Sequence, residues 1–152
     1  MTIITISGEC GSHISTFVRG SYHSNGYHLD NLFCDTENEK SGDYWLATNR
    51  FTGEAFVADL GTSVSVGGII LRNTKSAGFA TKKFRVSIAS QVDGTWEELM
   101  TVELYNPIIQ LGSSLLQQFN TKETKSGRFI KFELLEYYGS GGGLNYFDVI
   151  EK

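Results

Sequence analysis

The chain has 152 residues and a net charge of −4, with 40% of its residues hydrophobic and 20% charged. This size and composition predict one folded domain over residues 1–152 and exclude a disordered or fibrous protein. The acidic balance argues against a nucleic-acid surface, because each phosphate contact requires Lys or Arg. No apolar run approaches the ~18 residues that cross a bilayer.

Residues 1–7 predict a first strand rather than a signal peptide, because they lack the basic segment and the longer apolar run of a leader. If Met1 is the native start, we expect a cytosolic protein; if the chain was excised from a longer secreted one, we expect an extracellular module. From residue 9 to residue 52 the periodicity weakens, and this stretch holds all three histidines and both cysteines. Cys10 and Cys34 form one disulfide or none, with a reduced pair as the default without secretory signals.

Beyond residue 52, short apolar stripes of period two alternate with turn signals and predict strands. Two windows, residues 96–103 and 115–119, also show helical spacing, but the Asp93-Gly94 turn before the first favours a hairpin. Short strands without intervening helices predict an all-β fold, an antiparallel sandwich or barrel. The predicted strands cover residues 54–60, 64–73, 84–89, 96–104, 115–120, 129–134 and 144–150.

Five motifs follow one another in a fixed order. They are Asn31-Leu-Phe before Asp43-Tyr-Trp45, Phe56-Val-Ala-Asp-Leu-Gly61, Lys83-Phe-Arg-Val-Ser-Ile-Ala-Ser90 with Asp93-Gly-Thr-Trp96, Gly127-Arg-Phe-Ile-Lys-Phe132, and Gly143-Leu-Asn-Tyr-Phe-Asp-Val149. Together they resemble the discoidin family, the coagulation-factor type C domains and their galactose-binding relatives. The resemblance implies an eight-stranded jelly roll, a β-sandwich of two facing sheets. It also implies that Trp45 and Trp96 fill the core and that Arg128 is a buried or half-buried paired cation.

The resemblance also implies a structural Ca²⁺. Many relatives hold this ion with loop carbonyls, an aspartate of the opening motif and a carboxylate of the last strand, a set of oxygens that suits calcium. In this chain the opening acidic position falls on Cys34 or, shifted by one, on Asp35. The implied ligands are therefore Asp35, Asp43 and Asp148, and the alternative is an ordinary solvated acidic loop.

A zinc site is a second metal hypothesis, because His and Cys are the usual zinc ligands. Its candidates all lie between residues 10 and 34, but their spacing fits no compact zinc motif, and we disfavour it. They are Cys10, His13, His23, His28 and Cys34.

The loop at residues 19–28 corresponds to part of the ligand-facing rim of the relatives. Sugars bind through an aromatic face and a few planar polar groups, and this loop offers both. The sequence therefore predicts a lectin-like module for a terminal sugar such as galactose; the alternative is that these side chains cover the loop's own small core. The candidate ligand-binding residues are Tyr22, His23, Asn25, Tyr27, His28, Arg50 and Tyr138, with residues 49–51, Phe79 and Tyr137 as further candidates to complete the rim.

The sequence gives less support to three other functions. Membrane binding is disfavoured, because the loop tips carry His, Asn and Gly in place of apolar spikes and a basic collar. The sequence contains neither a nucleophile elbow nor a phosphate-binding loop, so we expect a non-enzymatic protein. The main alternative is an intracellular protein–protein interaction or scaffold module, favoured by the missing leader and the missing Asn-x-Ser/Thr acceptor.

Overall fold

The computed structural model describes residues 9–35, 44–74, 78–105 and 115–152, so the first strand predicted at residues 1–7 lies outside the described residues. Short 3-10 helices occupy Glu9–Gly11, Asn25–Tyr27 and Leu29–Leu32. None of the helices in the described ranges has the length and apolar character needed to cross a membrane. The strands are β1 (Thr16–Gly20), β2 (Trp45–Leu46), β3 (Gly53–Asn73), β4 (Phe79–Ala89), β5 (Glu97–Glu103), β6 (Leu116–Gly139) and β7 (Gly143–Glu151).

The strand predictions after residue 52 are confirmed, and both windows with helical spacing are strands. In two cases, a pair of strands that the sequence predicts separately forms one continuous strand. Residues 54–60 and 64–73 belong to the 21-residue β3, and residues 115–120 and 129–134 fall along the 24-residue β6. The sequence suggested breaks there because Gly61 and the pair Ser126-Gly127 resemble turn signals, whereas in the structure they lie at or beside a shift in the β3–β6 register between Asp59 and Val64.

The two long strands pass through both layers of an antiparallel sandwich. The first half of β3 pairs with β1 and with the second half of β6, which continues to β4 and β5. The second half of β3 pairs with the first half of β6 and with β7, and the two-residue β2 pairs with β7. The predicted all-β antiparallel sandwich is thereby confirmed.

The core between the layers is built from aromatic rings. Phe132 stacks on Phe56 and on Phe84, with ring centroids 4.9 and 5.0 Å apart. From the opposite layer, Phe147 meets the rings of Phe56 and Phe132 edge-on at 5.4 and 5.5 Å. Trp45 is fully buried beside them, as expected. Burial of these large rings, together with the aliphatic side chains around them, stabilises the fold.

Two expectations about side chains need correction. Trp96 is half-buried and lies on the outer face of the sheet, where the ammonium of Lys131 is 4.4 Å from the ring centroid. Lys131 lies between the buried Ile130 and Phe132, so its side chain points to the outer face of the sheet. The Trp96 ring that it contacts is therefore on the outer face as well and does not reach the core. Arg128 is paired, as expected, but its side chain is 47% exposed rather than buried.

Candidate functional site

The loops at one end of the sandwich are joined by backbone hydrogen bonds. The amide of His23 donates to the carbonyl of Leu46, and the amide of Ala47 donates to that of Gly142, at 2.8 and 2.9 Å. The amide of Arg50 donates to the carbonyl of Ser140 at 2.8 Å. We call this surface the rim; it comprises residues 21–28, 44–52, 139–142 and Phe79. Its loops come from distant parts of the chain, but the hydrogen bonds hold them in one fixed arrangement.

Trp45 fastens the first rim loop to the core. Its indole Nε1 donates to the carbonyl oxygen of Ser21 at 2.8 Å. The hydroxyl of Ser21 in turn donates to Oγ1 of Thr48 at 2.7 Å and accepts the amide of Thr48 at 3.1 Å. The start of this loop is therefore held both by a buried ring and by the hydroxyl of Ser21.

Aromatic side chains gather on the rim. The His23 ring meets Phe79 and Tyr27 edge-on, with centroids 5.7 and 5.9 Å apart. Tyr22 packs on His28 at 4.5 Å. The structure thus brings His23 and Tyr27 together with Phe79, which the sequence had offered as a further rim candidate, and it pairs Tyr22 with His28.

Tyr44 also joins the cluster, with its ring 5.5 Å from that of Tyr27. It was missed as a site residue, although a signal existed. Trp45 points inward, and because neighbouring side chains of an extended segment alternate, Tyr44 must point the other way.

The glycine run makes room for Phe79. A Cβ on Gly141 would lie 2.8 Å from Cε1 of Phe79, closer than side chains tolerate. Gly139 has a φ of +84°, and a Cβ there would lie 2.6 Å from the carbonyl oxygen of Gly78. The run is thus a tight connection that lets a half-buried ring lie against the backbone.

Two polar candidates lie exposed on the rim. Asn25 opens a short 3-10 helix between His23 and Tyr27. Arg50 has a left-handed backbone, with φ of 58°. Among the described residues its guanidinium forms no ion pair, which distinguishes it from the other arginines. The other four arginines each form an ion pair: Arg19 with Glu54, Arg72 with Asp35, Arg85 with Glu98, and Arg128 with Asp59.

Tyr138 is not brought together with the other candidates. Its hydroxyl donates to the carbonyl oxygen of Leu104 at 2.8 Å, and the ammonium of Lys82 lies 5.6 Å from its ring. Both partners belong to the β4–β5 side of the sheet. Tyr138 therefore fastens the end of β6 to its neighbours, and it does not extend the aromatic cluster.

Two of the implied calcium ligands accept hydrogen bonds from other groups of the protein. Asp35 accepts from Nε and Nη2 of Arg72 at 2.7 and 3.1 Å. The buried Asp148 accepts the amide of His13 at 3.1 Å, the hydroxyl of Ser12 at 3.4 Å and a contact from Nδ1 of His13 at 3.2 Å. Burial raises the pKa of Asp148, while the donors from His13 act in the opposite direction. Asp43 lies outside the described residues.

Calcium needs six to eight oxygens with free lone pairs, and these two carboxylates are directed at N–H and O–H donors instead. Asp35 and Asp148 therefore do not fit the ion. Within the described ranges, moreover, no three or more His, Cys, Asp or Glu side chains cluster as metal ligands would.

The cysteines form a disulfide, which corrects the expected reduced pair. Cys10 and Cys34 are bonded, with their Cα atoms 5.4 Å apart. His13 lies beside Asp148, while His23 and His28 belong to the rim. The five zinc candidates are therefore not brought together at a single site, and the two sulfurs are already bonded to each other.

Comparisons with known proteins agree with this architecture. The sequence pattern of the F5/8 type C domain family matches residues 14–149. No curated protein matches the chain.

Several solved structures share the fold. The third carbohydrate-binding module of family 32 (CBM32-3) in a family 31 glycoside hydrolase from Clostridium perfringens superposes with a TM-score of 0.70 at 10% identity, covering 90% of each chain. The family 32 module of NanJ from C. perfringens, solved in complex with galactose, gives 0.65 at 12% identity and covers 88% of this chain and 97% of that one. Chitosan-binding module 1 of a chitosanase/glucanase from Paenibacillus sp. IK-5 gives 0.61 at 12%, covering 86% and 89%.

Proposed function

The chain belongs to the F5/8 type C domain family, and on that premise we propose that it is a non-catalytic, lectin-like module that binds a terminal sugar at the rim. The observation that carries the proposal is the arrangement of His23 between the rings of Phe79 and Tyr27. The polar side chains of Asn25 and Arg50 are exposed on the same rim.

This arrangement has the two properties that sugar recognition requires. Aromatic faces pack against the apolar C–H side of a pyranose ring, and planar polar groups hold its hydroxyls by paired hydrogen bonds. Phe79 is held in place by the glycine run, and the rim loops are hydrogen-bonded to one another, so little conformational entropy is lost on binding.

The structural neighbours indicate which sugars to test first. One neighbour was solved with galactose, and another is described as chitosan-binding. We therefore expect a galactose-like or amino sugar at a chain end. A single rim of this size suits modest affinity, because it contacts one sugar rather than a long chain.

A glycan array followed by calorimetric titration tests the proposal. We expect binding to terminal-sugar glycans, with affinity reduced at least about tenfold by His23→Ala or Phe79→Ala, a loss of about 1.4 kcal/mol. Tyr138→Phe is the matched control, because it removes an aromatic hydroxyl near the end of β6 without touching the cluster. Silence across a broad array at high protein concentration would overturn the proposal in favour of a protein-binding module.

A further inference from the structure

A cluster of polar side chains connects the segments on either side of β1 to strands β3 and β7. We call it the clasp, and it comprises Cys10, Ser12, His13, Cys34, Asp35, Arg72, Tyr146 and Asp148. The disulfide joins residues 24 positions apart and so encloses β1 and the first rim loop. Both ends of that enclosed segment are then bound to β3 or β7 by side-chain contacts.

The end that follows the rim loop is bound by an ion pair. Arg72 of β3 donates to both carboxylate oxygens of Asp35, and the two side chains are only 13% and 26% exposed. A bidentate arginine–carboxylate pair with little solvent is among the stronger polar contacts in proteins. Arg72 also lies opposite Tyr146 of β7 in the strand register, so the two side chains are neighbours on one face of the sheet.

The other end is bound by Asp148, two residues along β7 on the same face as Tyr146. Asp148 receives Ser12 and His13, as described above. Each carboxylate of the clasp thus has its own protein donors, Arg72 for Asp35 and Ser12 with His13 for Asp148.

We propose that the Arg72 guanidinium supplies the positive charge for which many relatives use a structural calcium ion, so that this module is held together without calcium. The same two positions, an opening-motif aspartate and a carboxylate of the last strand, carry the negative charge here. A guanidinium is attached to its strand and always charged, so it cannot be removed by a chelator or by dilution. The disulfide adds a covalent link at the residue next to Asp35.

Thermal unfolding of the intact protein tests this proposal without reference to any sugar. An ion present at 100 times its Kd would raise the Tm by about 5 °C or more. We expect excess CaCl₂ and excess EDTA to give the same Tm within about 1 °C. We also expect no saturable terbium luminescence. A calcium-dependent rise in Tm, or one-to-one terbium binding that Asp35→Asn abolishes, would overturn the proposal.

Substitutions then test Arg72 itself. We expect Arg72→Met and Asp35→Asn each to lower the Tm by about 4–8 °C, and the double variant to lower it by little more than either one, because both remove the same contact. Arg128→Met is the matched control, since its guanidinium also makes a bidentate pair but is 47% exposed, and we expect a loss below about 2 °C. A neutral Arg72→Met would overturn the proposal. If that variant fails to fold, the calcium titration of the unmodified protein still decides.

Discussion

The indole nitrogen of Trp45 donates a 2.8 Å hydrogen bond to the carbonyl oxygen of Ser21, and this bond joins a fully buried core ring to the first residue of the rim. The same ring packs edge-on against Phe56 and Phe132. Core packing and rim geometry are thus coupled through one side chain. A change in the core at this point should be felt both in stability and in ligand binding.

Trp45→Phe tests that coupling. The variant loses part of a buried ring and leaves the Ser21 carbonyl without its donor, so we expect the free energy of unfolding to fall by about 2–4 kcal/mol. Sugar affinity should fall as well. Trp96→Phe is the control, because that ring is half-buried on the outer face and contributes mainly its contact with Lys131, worth about 1 kcal/mol or less. Urea unfolding of both variants checks the prediction, and equal losses would contradict it.

The contrast between the two tryptophans shows how far the sequence alone could go. Alternating stripes such as Phe84, Val86 and Ile88 predicted the strands correctly, because burial on one face imposes a period of two. Which face a single ring takes at a strand end depends on register, and a slip of one residue reverses it. Trp96 directly precedes β5, so the alternating pattern of apolar residues does not determine which face of the sheet its side chain takes.

The disulfide and the clasp were beyond prediction for a related reason. Cys10 and Cys34 lie in an irregular stretch, so no periodicity indicated that their Cα atoms would approach to 5.4 Å. Likewise, Asp35 and Arg72 are 37 residues apart, and their pairing follows from the path of the rim loop. The composition of the rim was visible in the sequence, whereas the approach of Phe79 to His23 depended on how the loops close.

Arg50 offers a substitution that separates stability from binding. Its φ of 58° costs a non-glycine residue roughly 1–2 kcal/mol, a cost that glycine avoids. We expect Arg50→Gly to keep or slightly raise the free energy of unfolding while weakening sugar binding by about tenfold or more, because a charged hydrogen-bond donor is lost. Calorimetry and urea unfolding on the same protein give both values. Arg50→Lys, which keeps the charge, should bind better than Arg50→Gly; equal affinities would contradict a role for the cation.

The disulfide should contribute measurably to stability. Closing a loop with a sequence separation of 24 restricts the unfolded chain and is worth about 3–4 kcal/mol. We expect reductant, or Cys10→Ser with Cys34→Ser, to lower the free energy of unfolding by about that amount. Urea unfolding with and without reductant measures the effect. The double variant is the control, because reductant should leave its unfolding curve unchanged.

Tyr146 gives a spectroscopic view of the clasp. Burial, Asp148 and Asp35 together raise the pKa of its hydroxyl from 10.0 to about 12. Ultraviolet titration should therefore show one late ionisation near that value, and Tyr146→Phe should remove it. Asp148→Asn and Asp35→Asn should each move the late phase back toward 10.0, because each removes a negative charge that disfavours the phenolate.

The raised pKa of Tyr146 also determines how the stability of the protein changes at alkaline pH. A hydroxyl whose pKa is higher in the folded protein than in the unfolded chain holds its proton more tightly when folded. Its contribution to stability is fully present below pH 10.0 and is lost as the pH rises through about 12. Tyr146→Phe should therefore lose stability less steeply over that window than the unmodified protein does. Parallel slopes for the two proteins would show that the Tyr146 phenol is not held in the folded clasp as the structure places it.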